Sequence, residues 1–277
     1  MTIDEIILAA LAEDIGDGDH TSLSTIPPGA AGKAKLLIKQ PGIISGIELA
    51  RRIFRAVDSH IVMLPLLKDG DPVSSGEVAF TVEGPSASIL KAERLVLNFM
   101  QRMIGIATTT SMYVKALEGL KTRVLDTRKT TPLLREPEKM AVVHGGGFNH
   151  RFGLFDMILI KDNHVDFAGG IVQAITSANQ YLQRTGKSLK IEIEVRNFEE
   201  LQLVMETGGV HRIMLDNFRP ADLAKAVQII EGKYETEASG GITLDTLREY
   251  AETGVDFISV GALTHQIRSL DLSLKAY

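Results

Sequence analysis

Residues 191–216 read IEIEVRNFEELQLVMETGGVHRIMLD, and this stretch decides the fold. Ile191, Ile193 and Val195 alternate with Glu192 and Glu194, a period of two that puts both glutamates on one face of a strand. Phe198–Thr207 reads as a helix, and Arg212–Leu215 as a second strand that closes on Asp216. Strand, helix and strand in that order imply parallel strands joined by a right-handed crossover.

The same alternation extends in both directions. Arg123–Asp126, Met157–Ile160, Tyr234–Ala238 and Phe257–Val260 read as further strands, with helices over Ile171–Arg184, Pro220–Ile230 and Thr243–Thr253. An open doubly wound sheet would gather its glycines after the first strand as GxGxxG, and no such element follows a strand here. Polar residues instead end nearly every strand, as in a barrel whose site is built from many strand ends. Six readable strands fall short of eight, so the expected fold is an irregular, incomplete α/β barrel. The first hundred residues have another texture. A helix over Ile3–Leu11 precedes β-rich runs at Ala34–Ile38, Ile61–Leu67 and Val78–Val82, separated by turn signals such as Asp69-Gly70-Asp71-Pro72. Ser86 caps a helix through at least Met103. These features predict domains of residues 1–105 and 106–277, divided at Gly105, with the tail 267–277 packing back on the N-terminal domain.

Composition narrows the function. With 44% hydrophobic and 23% charged residues in 277, the chain is globular. It carries no cysteine, which excludes disulfides, thiolate metal sites and a cysteine nucleophile and suits a cytoplasmic location. A net charge of -5 argues against a nucleic-acid footprint. No secretory leader or membrane-spanning run is read, so neither nucleic acid nor membrane is an expected partner.

Within this acidic chain stands a set of cations: Arg128, Lys129, His150, Arg151 and Lys161, with Arg135 and Lys139 nearby in sequence. A solvated surface explains any one of them. Cations at three separate strand ends facing one barrel mouth repel one another unless an anion joins them, and the mixture of arginine and lysine suits carboxylate together with phosphate. Glu194 and Asp216, at the ends of successive strands, suit either a shared Mg²⁺ or ion pairs with those lysines. Ser239-Gly240-Gly241 and Gly261-Ala262 follow the last two strands, where glycine serves either a tight turn or a phosphate held on backbone N–H groups. His144-Gly145-Gly146-Gly147 has the form of an esterase oxyanion loop, but no GxSxG element supplies the serine. Glu13 to Asp19 lacks EF-hand spacing and reads as a loop structured by aspartate turns.

These segments, in order, resemble the quinolinate phosphoribosyltransferase family. The likeness runs through Glu13-Asp14-Ile15-Gly16, Glu93-Arg94-Leu95-Val96-Leu97-Asn98, Asp126-Thr127-Arg128-Lys129-Thr130-Thr131-Pro132, Gly145 to Arg151, Ile160 to His164, Glu192 to Val195, Met214 to Phe218, Glu237 to Gly241 and Ser259 to His265. It implies a type II phosphoribosyltransferase-like α/β fold, an irregular incomplete barrel with a smaller N-terminal α/β sandwich, in a homodimer with composite active sites. It implies transfer of phosphoribosyl from PRPP to quinolinate with decarboxylation, and Mg²⁺ as cofactor. By resemblance, Arg94 from the neighbouring subunit joins Arg128, His150, Arg151 and Lys161 on quinolinate. Lys129 faces PRPP and the reacting groups, Glu194 and Asp216 the metal, and Ser239, Gly240, Gly241, Gly261, Ala262 and His265 the phosphates. Leu133 stands where the family usually has glycine, and Ile104 where serine is common. Three rivals remain distinct: a transport-associated relative of the family, a Schiff-base barrel enzyme using Lys129 or Lys161, and a non-catalytic anion-binding protein.

Overall fold

The computed structural model describes residues 2–277, which form two compact units. The first comprises residues up to Ser111, Thr130–Gly146 and Leu263–Tyr277; the second comprises Met112–Lys129 and Gly147–Ala262. The sequence reading divides the chain once, at Gly105; the compact units are grouped by contact and draw on segments from both sides of that point.

In the first unit, helix α1 (Ile3–Ile15) starts at Thr2, whose side chain and that of Glu5 cap each other's backbone, and it ends at Gly16. Ile3, Ile6, Ile7 and Leu11 form its buried stripe. After α2 (His20–Thr25) come β1 (Ala31–Ile38), β2 (Gly42–Ile43), α3 (Ile47–Val57), β3 (Val62–Pro65), β4 (Pro72–Val73) and β5 (Val78–Pro85). Helix α4 spans Ser86–Ala116 without a break. The helix runs on past Met103 and through Gly105, where packing calls for glycine: a Cβ there would lie 2.5 Å from the Arg268 carbonyl oxygen. Gly105 admits a neighbouring backbone rather than ending a helix.

The chain continues through β6 (Arg123–Leu125), α5 (Arg135–His144), β7 (Ile158–Ile160), α6 (Asp162–Ala168), α7 (Ile171–Thr185), β8 (Ile191–Val195), α8 (Phe198–Thr207) and β9 (Arg212–Asp216). It ends with α9 (Pro220–Ile230), β10 (Glu235–Ser239), α10 (Leu247–Ala251), β11 (Phe257–Ser259), α11 (Ala262–His265) and β12 (Leu272–Ala276). In the first unit an antiparallel sheet orders β12-β1-β5-β3, so the C-terminal tail adds a strand beside β1, with Ala34 opposite Ala276. Phe54 and Phe80 meet edge to face at 5.9 Å in its core.

The second unit holds six parallel strands in the order β6-β11-β10-β9-β8-β7. From β7 to β11 each strand pairs with the next in the chain, and the first, β6, pairs with the last, β11. That cyclic order is a barrel opened at one seam, between β6 and β7. Phe148 lies along the seam side of β6, bridging to Leu125 in parallel. Register assigns the faces. Glu192 pairs with Arg212 and Arg212 with Glu235, while Glu194 aligns with Met214, Met214 with Glu237 and Asp216 with Ser239. The alternate positions, Ile191, Ile193, Val195, Ile213, Leu215, Ala238 and Ile258, are at most 1% exposed. One face is thus an apolar seat for helices and the other carries charge. Among the described residues no helix is long and apolar enough to cross a membrane.

Candidate active site

The charged face reaches the C-terminal strand ends on five consecutive strands. After β7, Lys161 donates from Nζ to Glu194 Oε2 of β8 at 3.3 Å. Burial holds the Glu194 carboxyl above the usual carboxylate range, with Lys161 pulling it down and Asp216 pushing it up. Asp216 ends β9 and accepts from Ser239 Oγ of β10 at 2.7 Å and from the Asn217 side-chain amide. Asn217 has a left-handed φ of 56°, which asparagine tolerates. Gly240 and Gly241 follow with φ of 102° and 63°, a turn that L side chains resist. Gly261 and Ala262 follow β11, half-buried.

Three further cations lie in the same unit. Arg128 and Lys129 are exposed beyond β6. Arg151 is only 9% exposed, with Nη1 donating to the Met157 carbonyl at 3.3 Å. Burial lowers the Arg151 pKa and the charge of Arg128 lowers it further, against the opposing pull of Glu192 and Asp156. Two guanidiniums close enough to repel, one of them buried, mark a place that an anion stabilises.

His150 sits deeper. Its backbone N–H donates to Oδ1 of the fully buried Asp126 at 2.8 Å, and its Nδ1 accepts from the Arg151 N–H at 2.7 Å. Nε2 lies 3.0 Å from Glu192 Oε2 and 3.4 Å from Glu237 Oε2. Burial opposes a charged ring, but hydrogen bonding to the two carboxylates outweighs it and raises the imidazole to about 9. Burial and the nearby Glu237 raise Glu192 to about 7. The two shifts belong to one buried cluster in which Arg212 supplies a fixed positive charge. The Arg151 N–H directed at Nδ1 holds the ring in its neutral form with the proton on Nε2, and a second proton on the ring would displace that bond.

Glu237 and Arg212 were not among the residues singled out from the sequence. Their signal was available in Glu235-Thr236-Glu237-Ala238-Ser239, which alternates as Ile191–Val195 does, with Glu237 two residues before a strand-end polar group. Arg94 and His265, both exposed, belong to the first unit, as do Arg135 and the buried Lys139. Arg94 there borders a hollow of about 400 Å³ with Asp14, Asp19, His20 and Lys91. Asp19 caps α2 by accepting from the Ser22 N–H, the aspartate turn expected of that loop.

A larger hollow, about 750 Å³, opens at the opposite ends of the barrel strands beside Lys121, Arg123, Lys190 and Lys233. Chemistry in such barrels gathers at the C-terminal ends. Two of these lysines already face carboxylates, Lys121 with Asp256 at 2.9 Å and Lys190 with Glu235 at 3.8 Å. The strand-end cluster is therefore the stronger candidate.

Comparison with known proteins identifies the family. Residues 106–275 match the family profile described as quinolinate phosphoribosyl transferase, C-terminal domain, and residues 19–104 match the corresponding N-terminal domain. The chain is 45% identical to quinolinate phosphoribosyltransferase [decarboxylating] 1b of Nicotiana tabacum, over 98% of this chain and 81% of that protein. It is likewise 45% identical to the nicotinate-nucleotide pyrophosphorylase [carboxylating], chloroplastic, of Arabidopsis thaliana, with the same coverage. The solved nicotinate-nucleotide pyrophosphorylase from Francisella tularensis superposes with a TM-score of 0.93 at 40% identity, covering 99% of this chain and 96% of that one.

Proposed function

Because this chain belongs to the quinolinate phosphoribosyltransferase family, we propose that its strand-end cluster is where quinolinate meets PRPP. The protein transfers phosphoribosyl from PRPP to quinolinate with decarboxylation, giving nicotinate mononucleotide, pyrophosphate and CO₂ in NAD biosynthesis. The observation that carries the site assignment is the row Lys161, Glu194, Asp216 and Ser239 on four successive strand ends, beside the crowded guanidiniums of Arg128 and Arg151.

Arg128, Arg151 and Lys161 would bind and orient the two carboxylates of quinolinate so that the ring nitrogen faces ribose C1, with His150, whose ring nitrogens both face protein groups, set behind Arg151. The arginine forks match planar carboxylates, and the low exposure of Arg151 strengthens its hold on an anion. The nitrogen bonds to C1 as the bond to pyrophosphate breaks, through an oxocarbenium-like transition state. No general base is needed, since a pyridine nitrogen has no proton to lose. Once quaternised, the nitrogen stabilises the electron pair left at the adjacent ring carbon as CO₂ departs, and that carbon takes a proton. Lys129 would lie against PRPP, and Ser239, Gly240, Gly241, Gly261, Ala262 and His265 against phosphates. The contribution of these residues is positioning and preorganised charge.

Mg²⁺ is the cofactor assigned to Glu194 and Asp216. The fit rests on their chemistry: hard oxygen donors on adjacent strands, close enough that Asp216 raises the Glu194 pKa, with one lysine between them and neutrality. When bound there, the ion would neutralise charge on the departing pyrophosphate. His150, Glu192 and Glu237 also place possible ligand atoms within 4.8 Å of one another. That trio is already balanced by Arg212 and a proton, so it fits a metal poorly.

The exposed Arg94 is assigned to the neighbouring subunit's site in a homodimer. The compartment is read as cytoplasmic on the cysteine-free composition, whereas the Arabidopsis relative is named as chloroplastic; cell fractionation decides it. The deciding assay is quinolinate with PRPP and Mg²⁺, the product identified by mass. Turnover should vanish in excess EDTA, and nicotinate, lacking one carboxylate, should be a poor substrate. Full activity in EDTA would refute the metal assignment, and comparable kcat/KM for the two acids would refute the dicarboxylate pocket.

A further inference from the structure

Four titratable side chains are enclosed beneath the strand ends of the second unit. Glu192 and Glu237 are 0% exposed, and the side chains of His150 and Arg212 are 6% and 11% exposed. Arg212 donates from Nη1 to Glu237 Oε2 and from Nη2 to Glu235 Oε2, both at 3.0 Å, and its guanidinium stacks on Phe257 at 4.1 Å. Glu237 and Glu192 then flank His150 Nε2, and His150 Nδ1 receives the Arg151 N–H. From Arg212 to the Arg151 backbone no step in this chain exceeds 3.4 Å.

Apolar residues of similar volume at such places are commonly as stable as an ion cluster or more so, because each buried charge loses its hydration. Stability alone is therefore a poor reason for this cluster. What it touches is more informative. Both ring nitrogens of His150 face groups of the protein, and one of those is the main chain of Arg151. Arg151 in turn has little exposure, is repelled by Arg128, and is attracted by Asp156 and by Glu192 itself.

We infer that Glu192 and Glu237 are positioning residues for quinolinate binding: they hold the His150 ring, which pins the Arg151 main chain and keeps its guanidinium beside Arg128 in the empty pocket. The inference rests on the reading of Arg151 as a quinolinate ligand. The carboxylates touch no substrate. They preorganise the pocket, so their loss appears in quinolinate affinity rather than in the displacement at ribose C1.

The test uses the full-length enzyme and Glu237→Gln, which keeps the shape and removes the charge. The KM for quinolinate should rise on the order of 10-fold, while kcat and the KM for PRPP stay within about twofold. In an Arg151→Lys background the same substitution should add less than about twofold, because both changes act through one group. If Glu237→Gln does not fold, as judged by circular dichroism, Glu192→Gln is read in the same way, since it leaves the Arg212–Glu237 pair intact. An unchanged quinolinate KM, an equal loss in kcat and both KM values, or penalties that multiply in the double variant would each overturn the inference. If Arg151→Lys alone leaves the quinolinate KM unchanged, the reading of Arg151 as a ligand falls, and the inference with it.

Discussion

Replacing Gly240 by alanine should displace Asp216, the aspartate proposed to hold Mg²⁺, without touching it. A Cβ at this position would lie 2.2 Å from Asn217 Oδ1, 2.7 Å from its Cγ and 2.9 Å from its backbone nitrogen. Non-bonded contacts to carbon settle near about 3.5 Å, so Asn217 must retreat by roughly 1 Å. Its freedom is small: its N–H is bonded to the Ser239 carbonyl at 2.9 Å, and its side-chain amide donates to Asp216. Asp216 therefore moves with it. A displacement of about 1 Å in a positioned group costs on the order of 10²-fold in turnover. The φ of 102° adds strain for any L residue, about 1 to 2 kcal/mol, or a loss of roughly 2–8 °C in Tm. Gly186, at φ 66° with open space around its Cβ position, supplies the control: Gly186→Ala carries the strain without the collision and should lose Tm but not activity. Steady-state kinetics across a Mg²⁺ titration, with Tm for both variants, reads the outcome. If Gly240→Ala turns over within about threefold of the parent at unchanged half-saturating Mg²⁺, the reasoning is wrong.

Three other outcomes are expected. Leu133 is 64% exposed at φ 68°, so Leu133→Gly should relieve left-handed strain of about 1 to 2 kcal/mol, partly offset by the entropy of glycine, and raise Tm by up to a few degrees; a fall in Tm would contradict this. Arg102 donates to Glu138 at 2.7 Å while Glu138, whose side chain is 1% exposed, also accepts from the Thr131 N–H, so Arg102→Leu strands a buried carboxylate and should cost about 3 kcal/mol in denaturant unfolding. Hydrogen bonds from the His60 backbone and from Ser88 lower Asp58 from 3.8 to about 2. The stability it contributes is present above pH 3.8 and lost as pH falls through about 2, so Asp58→Asn should flatten Tm against pH in that window, and parallel curves would refute it.

Much of the barrel is written into short-range pattern. Ile191–Val195 and Arg212–Asp216 are recoverable because each strand has one apolar face and one charged face, and a period of two shows in five residues. Lys161, Glu194 and Asp216 could be placed at strand ends for the same reason. Other features depend on partners distant in sequence. Gly105 looks like a breaker until Arg268 is beside it, and only then is α4 understood to continue to Ala116. Arg212 looks like a surface residue at the start of a strand until the register sets Glu235 opposite it and Glu237 two places on. Leu133 stood out only as a departure from a family glycine; its positive φ gives that preference a steric cause. The interleaved units were hidden because the segment Thr130–Gly146 carries no signal of which core it joins.

The pairing of β1 with β12 sets an order of events during synthesis. Ala34 and Ala276 are partners, yet roughly 240 residues separate them, and a ribosome adding about 5–20 residues per second makes the second tens of seconds after the first. Throughout that interval one edge of β1 has no strand beside it, and an unpaired edge invites association with other chains. A nascent or prematurely terminated polypeptide thus exposes a flag that the finished one conceals. Quality control that recognises free strand edges would distinguish chains in which this five-residue strand is in place from chains in which it is not.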